Sequence, residues 1–273
     1  MHKKICLVKK NKYIWLTINQ PTTRFTMIYK VLPLFLLSLM SFESVPVKNV
    51  KNIEAKIEKN VTDPKLLAEK AKAELEVKCK SFYESLTTEN YSLPQFESFS
   101  KAFEGYEQLK LQGKVENEVL TIVDFSLSSS EERMWVIDMT TKVVLLQTLV
   151  AHGRNSGNDI ANSFSNKSES YQSSLGFYLT GEVYQGKHGM SLRLDGQEYG
   201  INDNARDRAV VIHGADYVSE SFVKANGRLG RSQGCPAVSY KVHKELIQLI
   251  KDKSVLFIYH PSRNYVAKSK LVS

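Results

Sequence analysis

A single cysteine in a glycine-bearing loop is the residue best suited to chemistry in this sequence. Cys235 follows Gly234 and precedes Pro236, within the stretch 228–238. An apolar run with helical spacing begins near Ser239, so the sequence predicts a helix just after the cysteine. The positive end of a helix dipole and its unpaired N–H groups favour a thiolate. We therefore predict a reactive thiol here.

His213 is the matching candidate for a base. It follows the strand-like run 209–212, precedes Gly214 and lies 22 positions before Cys235. A turn or hairpin could bring the imidazole to the sulfur across that interval. A histidine that takes the proton of a cysteine makes the thiol a nucleophile. A lone cysteine is usually a small core residue, so the prediction rests on the pair and on the glycine-bearing loop.

Acyl transfer through Cys235 also needs hydrogen-bond donors for an oxyanion. The backbone N–H groups of Gly234 and Cys235 are natural candidates, because a glycine lets the backbone approach a substrate. Ser232 could donate too, although a loop-capping role fits it equally well. Gln233 cannot transfer a proton but can form hydrogen bonds. Gly214, beside the base, completes the candidates in the loop and strand.

Two arginines and a second His-Gly pair are further candidates. Arg228 and Arg231 could pair with substrate carboxylates, although solvated loop charge explains them equally well. His152 also precedes a glycine after a strand-like run, but it lies 83 positions before Cys235. We expect His152 to line the pocket, with a structural role as the alternative.

Strand-like segments dominate the second half of the chain. A long segment without them, 153–175, is rich in Gly, Asn and Ser and is predicted to be a loop, which at this length is usually either functional or disordered. Many strands, few helices and no βαβ rhythm predict a mainly β fold, an antiparallel β sandwich or barrel with peripheral α-helices. The predicted strands are 119–125, 134–139, 143–150, 176–179, 191–194, 210–212 and 255–259, with a helix at 240–251 after Cys235.

Two helices are predicted before the strands. The first starts at Asp63 and Pro64 and runs to about residue 86, and the second covers 96–111 and stops near Gly113. Cys79 lies on the apolar stripe of the first helix and is predicted to be a core residue, unpaired with the other cysteines. The helical segment 63–112 could pack on a catalytic domain, 113–273, or form a separate partner-binding element.

The N-terminus resembles an export signal. Of 37 basic and 29 acidic residues, seven basic and one acidic residue precede Ser44, so 30 and 28 follow. The basic character belongs to that segment and gives no argument for nucleic-acid binding. Residues 31–42 are apolar and follow Lys30, which fits a signal peptide and is short for a membrane span.

We therefore predict a signal peptide within 1–43, with a possible mis-called extension before Met27, and a linker at 44–62. The alternative is an uncleaved anchor. Either would bring the N-terminus into contact with the membrane, transiently for a signal peptide. The prediction is an exported protein in the periplasm or cell envelope.

Together these motifs resemble a known family. His-Gly followed by Ser-x-Gly-Cys is similar to the signature of the YkuD-type L,D-transpeptidase catalytic domain, which remodels bacterial peptidoglycan. The likeness covers about residues 90–262 and is strongest to a divergent murein L,D-transpeptidase branch. The supporting segments are 123–126, 135–138, 150–153, 164–166, 173–178 and 230–237.

The resemblance implies that Cys235 is the nucleophile and His213 the base of an L,D-transpeptidase that joins tetrapeptide stems by 3-3 crosslinks. It implies peptidoglycan stem peptides as partners and neither an organic cofactor nor a metal. The sequence departs from the usual motif, which has His at Gln233 and Ile/Val-Arg at Pro236-Ala237. An L,D-carboxypeptidase, an inactive peptidoglycan-binding scaffold and a cysteine peptidase of unrelated fold are the alternatives.

Overall fold

The chain divides into two units, 1–54 and 55–273. The structure is a computed structural model that describes residues 4–9, 12–17 and 63–272. In the first unit, β1 (Lys4–Lys9) pairs with β2 (Lys12–Thr17) as an antiparallel hairpin. The predicted signal sequence at 31–42 and the predicted linker at 44–62 lie outside the described residues.

Two helices open the second unit, as predicted. In α1 (Pro64–Glu84), the Asp63 carboxylate accepts a hydrogen bond from Lys65 N at 2.9 Å, so it caps the helix. The second helix, α2 (Phe96–Leu111), stops just before Gly113, which has φ +68°. Glycine adopts this left-handed conformation without the strain that a side chain would cause, which is why the helix ends there.

The two helices contribute side chains to the main hydrophobic core. Phe99 and Phe103 of α2 are fully buried, and Cys79 of α1 is buried with them, as predicted. Gly105 lets α2 approach the sheet, because an added Cβ would lie 2.1 Å from the Phe177 ring. The helices therefore cover one face of the sheet, which agrees with a peripheral helical layer.

A nine-stranded sheet and three short helices form the rest of the second unit, and the helices follow the seventh, eighth and ninth strands of the sheet. Its spatial order is β5-β4-β3-β11-β7-β8-β9-β10-β6. The strands are β3 (Val119–Asp124), β4 (Met134–Asp138), β5 (Val143–Thr148), β6 (Val150–Ala151), β7 (Gly176–Gly186), β8 (Gly189–Gly196), β9 (Val211–Gly214), β10 (Ala237–Val238) and β11 (Val255–Tyr259). The helices are α3 (Glu220–Asn226), α4 (His243–Ile250) and α5 (Arg263–Val266).

The sheet is nearly closed. Its two edge strands, β5 and β6, are separated in the chain by Leu149 alone, so the sheet must curl until its edges come together. Strands β3, β4 and β11 are buried on both faces, whereas the exposed edge strand β5 alternates between buried and partly exposed residues. The mainly β, barrel-like fold with a few helices confirms the predicted fold class.

Three local features differ from the predictions. Strands β9 and β10, and β3 and β11, pair in parallel, so the sheet is mixed. Strand β7 continues to Gly186, well beyond the short strand predicted at 176–179. Strand β10 lies between Cys235 and α4, so the cysteine does not precede a helix directly. Two residues are too few to show a periodic pattern, and only the pairing with β6 and β9 defines β10.

Within the described residues, no helix has both the length and the apolar character needed to cross a membrane.

Candidate active site

The register of β9 and β10 places the strand that follows the predicted nucleophile beside the strand that carries the predicted base. Ala237 pairs with His213, and Val238 pairs with Gly214. Cys235 lies two positions before Ala237, in the loop that leads into β10. A parallel strand pairing, and not a hairpin, therefore places the segment after Cys235 beside the strand that carries His213.

The loop before Cys235 is held in shape by Ser232. The Ser232 hydroxyl donates to Cys235 O at 2.6 Å and accepts from Gly234 N at 3.0 Å. Ser232 N donates to His152 O at 2.9 Å, which ties the loop to the segment after β6. Ser232 is buried, so the structure gives it the loop-capping role and not that of an exposed donor.

Only one of the two predicted oxyanion donors is unpaired. The Gly234 N–H is occupied by Ser232 Oγ, which corrects its assignment as an oxyanion donor. Gly234 is needed for its conformation, because φ is +122° and an added Cβ would lie 2.8 Å from Gln172 O. Within residues 63–272, the Cys235 N–H has no hydrogen-bond acceptor and remains available.

The Cys235 thiol is unpaired and partly exposed. It donates to Ala209 O at 3.7 Å, so in this structure its proton is directed to that carbonyl and not to the imidazole. Burial raises the pKa of the thiol, while a backbone hydrogen bond from Val211 and the positive charge of Arg208 act in the opposite direction. The predicted helix dipole does not contribute directly, since β10 intervenes before α4.

His213 is oriented by the residue that follows it. Its Nδ1 lies 2.9 Å from Gly214 O, and because a carbonyl can only accept, Nδ1 carries the proton and Nε2 is left as the acceptor. Burial lowers the pKa of His213, and the nearby His188 lowers it further, whereas the hydrogen bond to Gly214 raises it. The imidazole is therefore a neutral base near pH 7.

Gly214 acts through its carbonyl and its lack of a side chain. An added Cβ would lie 2.4 Å from the Tyr240 ring, so only glycine fits between β9 and the residues before α4. The structure gives Gly214 the role of orienting His213, which differs from the substrate contact that the sequence suggested.

His152 is a structural residue, which corrects the prediction that it lines the pocket. Its side chain is fully buried, and its Nδ1 accepts from the Arg133 guanidinium at 2.8 Å. Its Nε2 faces Gly157 O at 3.4 Å. Burial and the Arg133 charge lower the pKa of His152 to about 4, so the ring is neutral and has no nitrogen left for a substrate.

Both predicted arginines donate hydrogen bonds to backbone carbonyls of the protein. The Arg231 guanidinium donates to Gly157 O at 2.9 Å and to Arg154 O at 3.3 Å, so it holds the loop that follows β6 in place. Arg228 donates to Leu229 O at 2.6 Å. Gln233, two positions before Cys235, is exposed.

Two residues near the site were not predicted. Arg208 holds the loop 165–174 next to Gly234, and His188 in the β7–β8 turn stacks on His213 with ring centroids 4.5 Å apart. His188 was not among the sequence candidates, because no pattern in its own segment singles it out. The available signal for Arg208 was its position directly before the strand-like run that leads to His213.

Within the described residues, no group of three or more His, Cys, Asp or Glu side chains is placed to hold a metal ion.

Comparison with models of known protein families shows which family this chain belongs to. The family model described as the L,D-transpeptidase catalytic domain matches residues 91–259, more than half of the sequence. The chain belongs to this family. The match includes α2 and all nine strands of the curled sheet, and with them Cys235, His213 and Arg208. No curated protein matches the chain.

Solved structures of L,D-transpeptidases are similar to the chain at low identity. An L,D-transpeptidase from Mycobacterium smegmatis is 13% identical, with TM-score 0.33, over 52% of this chain and 59% of that chain. An L,D-transpeptidase from Stackebrandtia nassauensis is 11% identical, with TM-score 0.32, over 61% of this chain and 68% of that chain. A mutant of the helical cell shape determining protein from Campylobacter jejuni is 12% identical, with TM-score 0.36, over 63% of this chain and 58% of that chain. The chain spans between half and three-fifths of the length of the first matched structures.

Proposed function

We propose that this L,D-transpeptidase family member is a peptidoglycan L,D-transpeptidase that works through a Cys235 thioester. The observation that supports the proposal is an unpaired, partly exposed thiol in the loop before β10, next to the strand β9, whose His213 imidazole has Nδ1 bonded to Gly214 O. Tetrapeptide stems of peptidoglycan are the proposed donor and acceptor partners. The products are stems joined by 3-3 crosslinks.

The first half of the reaction forms the thioester. The thiol proton leaves the Ala209 carbonyl for His213 Nε2, and the sulfur attacks the carbonyl carbon of the third stem residue. The Cys235 N–H donates to the oxyanion of the tetrahedral intermediate. When the C–N bond breaks, the His213 imidazolium returns its proton to the amine of D-alanine, which leaves.

The second half transfers the acyl group. An amine of a neighbouring stem attacks the thioester carbon while His213 takes one of its protons. The C–S bond breaks, an amide bond forms, and the thiol is regenerated with the proton from His213. Burial raises the pKa of the thiol and lowers that of the imidazole, so both groups are neutral at rest and the proton moves as the nucleophile attacks.

The test is incubation of the purified protein with tetrapeptide muropeptides, with products identified by mass spectrometry. Crosslinked dimers and released D-alanine are expected from the wild type, and neither from Cys235→Ala or His213→Ala. Circular dichroism and thermal unfolding serve as controls that both variants fold. Tripeptides without dimers would show that water is the acceptor, and the enzyme would be an L,D-carboxypeptidase that uses the same residues.

An inactive peptidoglycan-binding scaffold is the second candidate. The observation that favours it is the thiol proton directed to Ala209, in a site where burial raises the thiol pKa. A carbapenem acylates a competent Cys235 and adds its mass to the protein. Binding to cell-wall sacculi without any added mass would support the scaffold and contradict the enzyme.

We also propose an exported location and the domain boundaries that the sequence suggested. The N-terminal segment 1–43 would direct the chain to the periplasm or cell envelope, with transient contact with the membrane. Residues 63–112 would form a helical segment packed on the catalytic domain 113–273. The N-terminal sequence of the mature protein from a cell-envelope fraction tests the export step, and an uncleaved chain in the cytosol would contradict it.

A further inference from the structure

We propose that Arg208 is a positioning residue for the nucleophile: its guanidinium lies behind the Cys235 loop and supplies the positive charge that stabilises the thiolate. The inference rests on the proposed function of Cys235 as the nucleophile. It concerns a residue that neither the nucleophile loop nor the histidine strand contains.

The guanidinium is fixed by backbone carbonyls and hydroxyls of the loop 165–174. Its Nη1 donates to Ser165 O at 2.8 Å and to Ser174 Oγ at 2.5 Å. Its Nη2 donates to Gln172 O at 2.7 Å and lies 3.4 Å from Ser170 Oγ. Because these acceptors are neutral, they fix the position of the guanidinium without compensating its positive charge.

The same guanidinium lies against the nucleophile loop. A Cβ added to Gly234 would be 3.3 Å from Arg208 Nη2, which places the charge next to the residue that precedes Cys235. The chain continues from Arg208 to Ala209, whose carbonyl is 3.7 Å from the Cys235 sulfur. Ala209 has φ +53°, a conformation that costs a side-chain-bearing residue free energy and directs its carbonyl to the thiol.

No acidic side chain within residues 63–272 forms an ion pair with Arg208. Its neighbour Arg206 is the contrast, since it pairs with Glu182 and Asp195. The ionisable groups that act on Arg208 are the Tyr178 hydroxyl and Cys235 itself. A half-buried cation without a counter-ion is unfavourable, and ionisation of Cys235 would supply the missing negative charge.

The charge therefore has a use at the moment of attack. The thiol is neutral at rest, so its ionisation must be made less costly when His213 takes the proton. A nearby fixed positive charge favours the thiolate and also the oxyanion that follows it. Arg208 thus combines two effects: it positions the loop around the nucleophile, and it lowers the free energy of the ionised sulfur.

The experiment measures the thiol directly, so it does not depend on muropeptide turnover. Alkylation of Cys235 is followed by peptide mass spectrometry from about pH 6 to about pH 11, with neutral iodoacetamide and anionic iodoacetate, in wild type, Arg208→Lys and Arg208→Gln. Arg208→Gln is expected to alkylate about tenfold more slowly below the thiol pKa, with the pH profile shifted up by about one unit. The loss is larger with iodoacetate, and Arg208→Lys restores most of the rate.

Arg206→Gln is the matched control, because it removes a neighbouring arginine whose charge is already paired, and its alkylation should equal that of the wild type. Equal slowing in Arg208→Lys and Arg208→Gln would assign Arg208 a purely structural role and overturn the inference, as would an unchanged profile in both. If Arg208→Gln does not fold, Arg208→Met keeps the aliphatic stem and replaces it. Slower alkylation in a protein without muropeptide turnover would refute the proposed function and leave the inference about Arg208 intact.

Discussion

The imidazole rings of His188 and His213 stack, with centroids 4.5 Å apart and planes inclined by 27°. The hairpin that carries His188 runs along β9 through the pairing of Ser191 with His213, so its turn reaches over the proposed base. The second imidazole covers the first and lowers the pKa of His213.

Replacement of His188 is expected to raise the pKa of His213. Because His213 must be neutral to accept the thiol proton, the acid limb of the pH–rate profile should move to higher pH in both His188→Phe and His188→Ala. His188→Phe keeps an aromatic ring over His213, which separates charge from stacking. NMR titration of His213 reports the pKa without turnover, and an unchanged midpoint in both variants would rule out the effect.

Loss of the Ser232 hydroxyl is expected to slow turnover and to lower the free energy of unfolding by about 2 kcal/mol. Ser232→Ala removes the acceptor of Gly234 N–H and the donor to Cys235 O, each bond contributing about 1 kcal/mol. We expect kcat/KM on muropeptides to fall by about tenfold or more, and Ser232→Thr to recover part of it.

The control for this change is Ser100→Ala on α2, which also removes one hydroxyl that donates to a backbone carbonyl. It should leave kcat/KM unchanged. A Ser232→Ala enzyme with wild-type kinetics would show that the loop holds its shape without the hydroxyl.

A side chain at Gly234 is expected to damage both fold and activity. Gly234→Ala meets an unusual φ of +122° and a backbone oxygen 2.8 Å from the new Cβ, so we expect a loss of about 2–4 kcal/mol in the free energy of unfolding. Gly113→Ala is the matched control, because its φ is +68° and no atom lies within 4 Å of its added Cβ. The free energy of unfolding of Gly113→Ala, measured with a denaturant, should fall by only about 1 kcal/mol. Equal losses at both sites would argue against crowding at Gly234.

Acidification is expected to destabilise the protein through His152. Its folded-state pKa of about 4 lies below its ordinary value of 6.5, so the unfolded chain binds the proton first as pH falls. This contribution, about 3 kcal/mol, is fully present above pH 6.5 and is lost progressively toward pH 4. Urea unfolding at a series of pH values measures it.

The control for that prediction is His152→Gln, whose amide can still accept from Arg133 and donate to Gly157 O. It will be less stable at neutral pH, but the difference from wild type should shrink as the pH falls toward 4. Comparing the two proteins cancels the buried Asp124 and Glu198 carboxyls, whose raised pKa values act with the opposite sign. Parallel curves would exclude His152 as the source.

Periodic and punctuated segments were predictable from sequence. The two N-terminal helices, the β4–β5 hairpin and β11 follow from apolar spacing and from residues such as Asp63 and Gly113, whose effects are local. Strand β10 was not predictable, because two residues carry no period and its partners β6 and β9 are remote in the chain.

The sequence by itself determined the candidate pair, Cys235 and His213, because a cysteine in a glycine-bearing loop and a His-Gly step after a strand-like run are both local signals. Tertiary structure alone decided what surrounds them. It placed Arg208 next to Gly234 and His188 on His213, and it buried His152 against Arg133. The physical reason is that side-chain charge and burial depend on contacts between segments distant in the chain, which the spacing of residues along one segment does not encode.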